Sequence, residues 1–563
     1  MSAKSRIAEV DMDELRGILQ RAEAKQFRDE DYETAGVVLK SYVHLVDLLK
    51  DKNTSIGRLR KMLFGASTEK TEAVLGAAAV LESSPASDGD GPTEPTDASN
   101  SEDEPPARTE GHGRNGADAY EGAEKIEVPH ESLQPGDACP ECGKGTVYEM
   151  SRPGVLVRIT GQAPIDAKVY RLQKLRCNLC GKVFTARPPE GIGSAKYNAT
   201  AASMIALLKY GSGLPFNRLE GLQGNLGIPL PASTQWDIVN AQAKHHQPVY
   251  AELIRQAAQG DVVYNDDTTI KILELMGKRA QQKALADEPV EGVGPEKPRK
   301  GMFTSGVVST TDGRLIALFF SGRQHAGENL KDVLLERAED LAPPIQMCDS
   351  LSRNLPGEFK TIVANCLAHG RRQFVDVAEH FPEECRHVLE ALAVVYRNDA
   401  IARKRGLSPE ARLEFHQAES GPTMEELHAW LARQFDQRLV EPNSTLGGAI
   451  RYMLKHWDKL TLFLRVPGAP LDNNVCERAL KKAILHRKNS LFFKTAHGAH
   501  VGDLFMSLIY TCELCGSNPF DYLTELERHA DELATNPGGW MPWNYRQTLD
   551  ALTTPAPSPA TAR

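Results

Sequence analysis

The chain reads as a multidomain α+β protein: an N-terminal helical or coiled-coil segment, a β-rich segment built on paired cysteines, a helix pair, and an α/β core broken by an all-helical insertion. Three observations carry this. The chain of 563 residues exceeds what one hydrophobic core normally serves, while an apolar fraction of 41% suits a globular protein. Apolar residues recur at spacings of three and four in some stretches and alternate in others, so both helices and strands are expected. A stretch of Ala, Ser, Pro, Gly, Asp and Glu then separates the first helices from the remainder. No apolar run approaches the roughly 20 residues that span a bilayer, and the start MSAKSRIAEVDMDELRG lacks the apolar region of a signal peptide; a cytosolic location is expected.

In chain order, residues 1–75 read as helical, with Val37, Val38, Tyr42, Leu45, Val46, Leu49, Ile56, Leu59 and Leu63 on a helical period that suits pairing of protomers in a homo-oligomer. Residues 76–130 read as an acidic disordered linker, because too little apolar surface is present to offset the ordering entropy. Within it, residues 81–110 carry nine acids against the single Arg108, which accounts for most of the net charge of -9. Whole-chain charge is therefore a poor guide to the partner. Residues 131–190 alternate in the strand manner (Val155, Val157, Ile159; Val169, Arg171, Gln173, Leu175) between two cysteine pairs. Residues 191–258 are helical, with two helices about a Gly-Ile-Pro-Leu-Pro turn, and Ser233 or Thr234 suits the N-cap of the second. From 259 to 376 the texture is α/β, with strands expected at DVVYNDDTTIKIL, MFTSGVVST, RLIALFF, PIQMCD and KTIVAN and a helix at NLKDVLLERAED. Residues 377–465 form the helical insertion, 466–516 return to the core, and 517–563 form a C-terminal tail with the aromatic run GGWMPWNY.

Cys139-x-x-Cys142 and Cys177-x-x-Cys180, each followed by glycine, have the spacing of two knuckles that close a tetrahedral zinc site. Four thiolates leave no open coordination position, so the zinc is read as structural and the segment as a zinc ribbon. Cys512 and Cys515 lack partners and are read as buried thiols. The helix pair at 214–241 has the form of a helix-turn-helix. An ordinary all-α region gives the same pattern, and DNA reading would require Gln235, Asp237, Asn240 and Gln242 to face solvent. Glu477 stands in LDNNVCERALKKAILHRKNSLFF, where six Lys or Arg residues follow it before the next acid at Asp503. As a helix, Val475, Ala479 and Ala483 form an apolar stripe beside a polar face carrying Glu477, Lys481 and Lys488. A solvated amphipathic helix gives this pattern; so does a carboxylate beside a track for a polyanion. Asp266 lies in one expected strand and Asp349 ends another. Carboxylates at adjacent strand ends plus one from a later helix can hold two magnesium ions for attack on a phosphodiester. On chemistry alone Asp267 is an equal candidate, and Asp349 could instead cap a helix or a turn.

Several separate stretches then agree in order and spacing: RLRKMLFGASTEK, the cysteine knuckles, LPFNRLE, NDDTTIKIL, SGRQHAGENLKD, NCLAHGRRQF, LDNNVCERALKKAILHRKNSLFF, NPFDYL and MPWNY. Over about 450 residues the chain resembles the transposases of the insertion-sequence-66 family, Asp-Asp-Glu recombinases with a ribonuclease-H-like core. The resemblance implies Asp266, Asp349 and Glu477 as catalytic ligands of Mg2+ (or Mn2+), with Arg371, Arg372, Arg478, Lys481, Lys482, Arg487 and Lys488 as phosphate contacts. It also implies DNA as substrate, both as the inverted ends of the element and as target, in a bacterial cytosol at the nucleoid, with small accessory proteins encoded beside it. Two departures stand out: Asp267 replaces a usual glutamate, and Ser350-Leu351 replaces a usual Gly-Tyr. Cys366 and His369 look like half a zinc site, but with no second half nearby in sequence a packing or orienting role is expected. The alternatives carried are a catalytically inactive DNA-binding regulator and a metal-dependent DNA nuclease.

Overall fold

The computed structural model describes residues 195–277 and 301–553 continuously, together with 299, 132–140, 144–149, 162–176, 183–191 and isolated positions elsewhere. The expected N-terminal helices, the acidic linker, the alternation from Val155 to Ile159 and three of the four knuckle cysteines (Cys142, Cys177, Cys180) lie outside the described residues. The stems of both knuckles lie within. Cys139 N–H donates to the Gly145 carbonyl at 2.8 Å beside an Ala138–Thr146 bridge, and the short strands β1 (Lys174–Arg176) and β2 (Val183–Thr185) pair antiparallel around the second pair. Residues 162–173 form no strand, so the alternation of Val169 to Leu175 is realised only at its end; Val169 is 85% exposed, leaving the pattern no face to bury.

The chain divides into two compact units, one of Met1–Pro85, Met347–Ser350 and Val363–Asn473, the other of Ala86–Gln346, Leu351–Ile362 and Asn474–Arg563. In the second, β1 and β2 are followed by helices α1 (Ala199–Ala206), α2 (Phe216–Asn225) and α3 (Ala232–Ala258). The helix start at Ala232 corrects the expected cap: Pro231, with an extended backbone (φ -57°, ψ 144°), occupies the N-cap position, so Ser233 and Thr234 fall inside the first turn. Strands β3 (Val262–Thr269), β4 (Phe303–Thr311) and β5 (Arg314–Gly322) follow as an antiparallel meander. With β6 (Ile345–Cys348) and β7 (Ile362–Asn365) they make a mixed five-stranded sheet of order β5-β4-β3-β6-β7. Helix α4 (Ala326–Leu334) starts at a capping box of His325 and Glu328, three residues before the expected start at Asn329.

In the other unit, α5 (Leu367–Val375), α6 (Pro382–Lys404), α7 (Pro409–Glu419), α8 (Gly421–Asp436), α9 (Thr445–Lys455) and α10 (Trp457–Leu460) make a run of helices after β7. This run is organised about a buried acid. Asp399 is 1% exposed and bonds Arg403, Arg412 (2.7 Å) and His416 (3.4 Å). Burial pushes its carboxyl up, but His416, Arg412 and Arg403 outweigh that and hold it below the ordinary range.

Helices α11 (Asn474–Ser490) and α12 (Ala496–Leu514) come next, and α12 protects the edge strand β5. The backbone N–H groups of Ala317, Phe319 and Ser321 donate to Thr511 Oγ1, Ser507 Oγ and Asp503 Oδ2 at 3.1, 2.9 and 2.7 Å. A helix rises about 6 Å in four residues and a strand about 6.8 Å in two, so polar side chains at i, i+4 and i+8 meet alternate edge amides. These amides would otherwise be buried without acceptors or left open to strand addition. The core of this unit gathers Ile205, Tyr250, Leu253, Phe319, Leu504 and Phe505 with Tyr522, Trp540 and Met541 from the C-terminal segment. Among the described residues no helix is long and apolar enough to cross a membrane.

Candidate active site

Strand alternation sends Asp266 and Thr268 to one side of β3 and Asn265 and Asp267 to the other. Asp267 is fully engaged on its side. Its Oδ2 lies 2.8 Å from His325 Nδ1 and accepts the Ala326 N–H at the start of α4 at 3.4 Å, and its Oδ1 lies 3.6 Å from Arg353. The Phe303 ring covers His325, with centroids 4.1 Å apart. Asp267 therefore anchors strand to helix, and both its oxygens are occupied by protein groups. On the same side Asn265 accepts from Gln346 Nε2 at 2.9 Å and donates to the Asn354 carbonyl at 2.7 Å.

Helix α11 packs on the Asp266 side. Gly306 stands opposite Asp266 in the β3–β4 register, and its carbonyl accepts the Cys476 S–H at 3.3 Å. A Cβ at Gly306 would lie 3.1 Å from Leu480 and 3.4 Å from Cys476, so glycine permits this approach of helix to strand. The far end of α11 is fixed by Arg487, which donates to Thr268 Oγ1 at 2.9 Å and Thr269 Oγ1 at 3.0 Å. The helix carrying Glu477 in its first turn is thus held near its start to β4, opposite Asp266, and at its far end to β3. Carboxylate oxygens are hard donors of the kind Mg2+ and Mn2+ take, and Asp266 and Glu477 suit such an ion better than a soft metal.

Asp349 follows β6 in the other unit. Its carbonyl accepts from Asn365 Nδ2 at 3.4 Å, and the neighbouring Ser350 hydroxyl donates to Tyr452 Oη at 2.9 Å. Burial, and then the charge of Asp349 among others, raise the Tyr452 hydroxyl above its ordinary pKa. Cys366 is wholly buried, and its Sγ accepts the Asn473 N–H at 3.3 Å while Leu367 N–H donates to the Leu471 carbonyl at 2.9 Å. Cys366 therefore packs against the segment that precedes α11.

The cations separate into two groups. Arg478, Lys481 and Lys488 are exposed on α11, and Arg371 and Arg372 are half-buried on α5. Arg487 is engaged on β3, and Lys482 pairs with Glu513 at 2.8 Å, so each of these two already holds a protein partner. Of the residues that a DNA-reading helix would need in solvent, Asp237 is exposed and Asn240 half-buried. Gln235 and Gln242, at 0% and 1% exposure, correct that part of the helix-turn-helix reading: Gln235 bonds the Phe216 and Leu230 carbonyls at 3.1 and 2.9 Å and holds the helix pair together from inside. Cys512 is buried, and burial raises its thiol well above the ordinary range. Of the partners of Asp267, His325 carries no signal in sequence beyond its place in SGRQHAGENLKD, and Arg353, four residues after Asp349, carries none.

Comparison with known proteins adds to this geometry. The family model described as Transposase IS66 family matches residues 195–286 and 334–501. The chain is 28% identical over 384 residues to the uncharacterized protein y4jD of Sinorhizobium fredii (strain NBRC 101917 / NGR234), covering 66% of this chain and 71% of that protein. It is 25% identical over 454 residues to the uncharacterized protein y4hP of the same organism, covering 76% of each.

Proposed function

Because the chain belongs to the IS66 family of transposases, we propose that it binds the inverted ends of its own mobile element, cuts DNA there and joins the freed end to target DNA. The observation that supports this most is the clamping of the Glu477 helix onto the Asp266 side of the sheet. Asp349 completes the ligand set by resemblance. These three carboxylates would hold two Mg2+ or Mn2+ ions, which when bound activate the attacking oxygen and stabilise the leaving one. In cleavage a water oxygen bonds to phosphorus and the 3′ oxygen departs, leaving a 3′-hydroxyl. In joining that hydroxyl oxygen bonds to a target phosphorus and displaces a target 3′ oxygen. No protein nucleophile is required. Asp267, through His325 and Arg353, holds β3 so that Asp266 keeps its orientation. Exposed Arg478, Lys481 and Lys488 position the phosphate backbone without reading sequence. A ribonuclease-H-like core with a helical insertion, a structural zinc at Cys139, Cys142, Cys177 and Cys180, protomer pairing through the N-terminal helices and small accessory proteins belong to the same reading.

The test is cleavage and strand transfer with Mg2+ on DNA carrying the ends that flank the gene, comparing wild type with Asp266→Asn, Asp349→Asn and Glu477→Gln. Joined products lost in all three variants support the reading. Cutting without joining favours a nuclease, and specific end binding without cutting favours a regulator.

A further inference from the structure

The corner that follows α11 has a composition its own fold does not account for. Leu491 sits at φ 68°, in the left-handed region where a helix-ending glycine is usual. Its side chain is nevertheless 63% exposed, and Phe492 beside it is 42% exposed. Neither backbone preference nor burial favours these residues there. The corner is also held firmly. Leu491 N–H donates to the Arg487 carbonyl at 2.9 Å, and Phe493 N–H donates to the Lys271 carbonyl at 2.9 Å. Phe493 is buried, its ring 4.6 Å from that of His486. An apolar pair is thus presented to solvent on a rigid base, flanked by exposed Lys271, Lys488 and Lys494.

We infer that Leu491 and Phe492 form a wedge that unstacks a base of the bound DNA, the lysines holding the phosphates on either side. The inference rests on the DNA-transposase reading. Charge complementarity selects a polyanion, and an exposed aromatic ring offers the stacking surface that an unpaired base takes. Lys271 lies five residues beyond Asp266 along an extended chain, roughly 17 Å at about 3.4 Å per residue. That corresponds to about five base pairs of duplex, so the unstacked base lies within that distance of the cut phosphate.

The experiment uses the full chain and duplexes of the gene-flanking ends, with 2-aminopurine at each position within that distance of the cleavage site. Wild type is expected to raise fluorescence several-fold at one position. Phe492→Ala and Leu491→Gly should each abolish the rise, measured at protein concentrations that keep the DNA fully bound. Leu491→Gly relieves the left-handed backbone, so it should melt no lower than wild type, which separates wedge loss from misfolding. Phe492→Ala should also cut more slowly than wild type, and a mismatch at the responding position, which needs less unstacking, should restore its cutting. Unchanged fluorescence in a bound wild-type complex, or an undiminished rise in both variants, overturns the wedge alone. Wild type that fails to bind the ends overturns the transposase reading and the wedge with it.

Discussion

Asp503→Asn should stabilise the protein at neutral and alkaline pH and leave it unchanged in acid. Asp503 is 3% exposed and accepts from Ser321 through both backbone and hydroxyl at 2.7 Å. Burial outweighs these bonds and pushes its carboxyl from 3.8 up to about 7. The raised value means that the native state keeps the proton after the unfolded chain has released it. Stability is then full below about pH 4, falls as pH rises, and levels off above about 7. At 1.36 kcal/mol per pH unit the loss is on the order of 4 kcal/mol. Asparagine reproduces the protonated acid: its oxygen accepts the Ser321 N–H and its amide donates to Ser321 Oγ, which can turn to Thr304 Oγ1 at 2.7 Å. Thermal melting of both proteins from pH 4 to 8 is the assay. The curves should coincide at the acid end, with the variant several degrees higher at pH 8. Parallel curves, or a variant lower at every pH, would contradict this account of Asp503.

Four further outcomes rest on the same structure. His486, stacked between Tyr210 and Phe493, is held down at about 3 by burial and then by Lys209, so its contribution is full above pH 6.5 and lost as pH falls toward 3; His486→Phe should flatten the acid limb of a pH–melting curve. Arg487→Ala, which frees α11 from Thr268 and Thr269, should cost about 1–3 kcal/mol of stability and reduce cutting with little change in DNA affinity. Lys488→Ala should instead leave melting unchanged and reduce the slope of log K against log salt by about 1. Asp399→Ala, which takes the carboxylate away from buried His416 and mostly buried Arg412, should cost about 3–5 kcal/mol, read as earlier melting and faster proteolysis within the helices after β7.

Among the described residues, the strands and helices from Val262 onward and their order were already written in the chain. The strands from Val262 to Asn365, the helices that follow them and the helix bearing Glu477 were legible because alternation and helical period report which faces are buried. The acids Asp266, Asp349 and Glu477 were legible as motifs, and Cys512 as a buried thiol. What each polar group faces came instead from the packing of elements against one another. A DNA-reading second helix required Gln235 and Gln242 to face solvent, but both are buried, and backbone carbonyls of neighbouring turns draw Gln235 inward. Asp267 matched Asp266 in chemistry until the pleat turned it toward His325 and Arg353. Arg487 read as one of a row of cations, yet it closes α11 onto β3. The i, i+4, i+8 set of Asp503, Ser507 and Thr511 acquires its meaning only where an edge strand runs beside it. Periodicity records burial along one element, whereas a polar side chain's role depends on the donor or acceptor that another element brings to it.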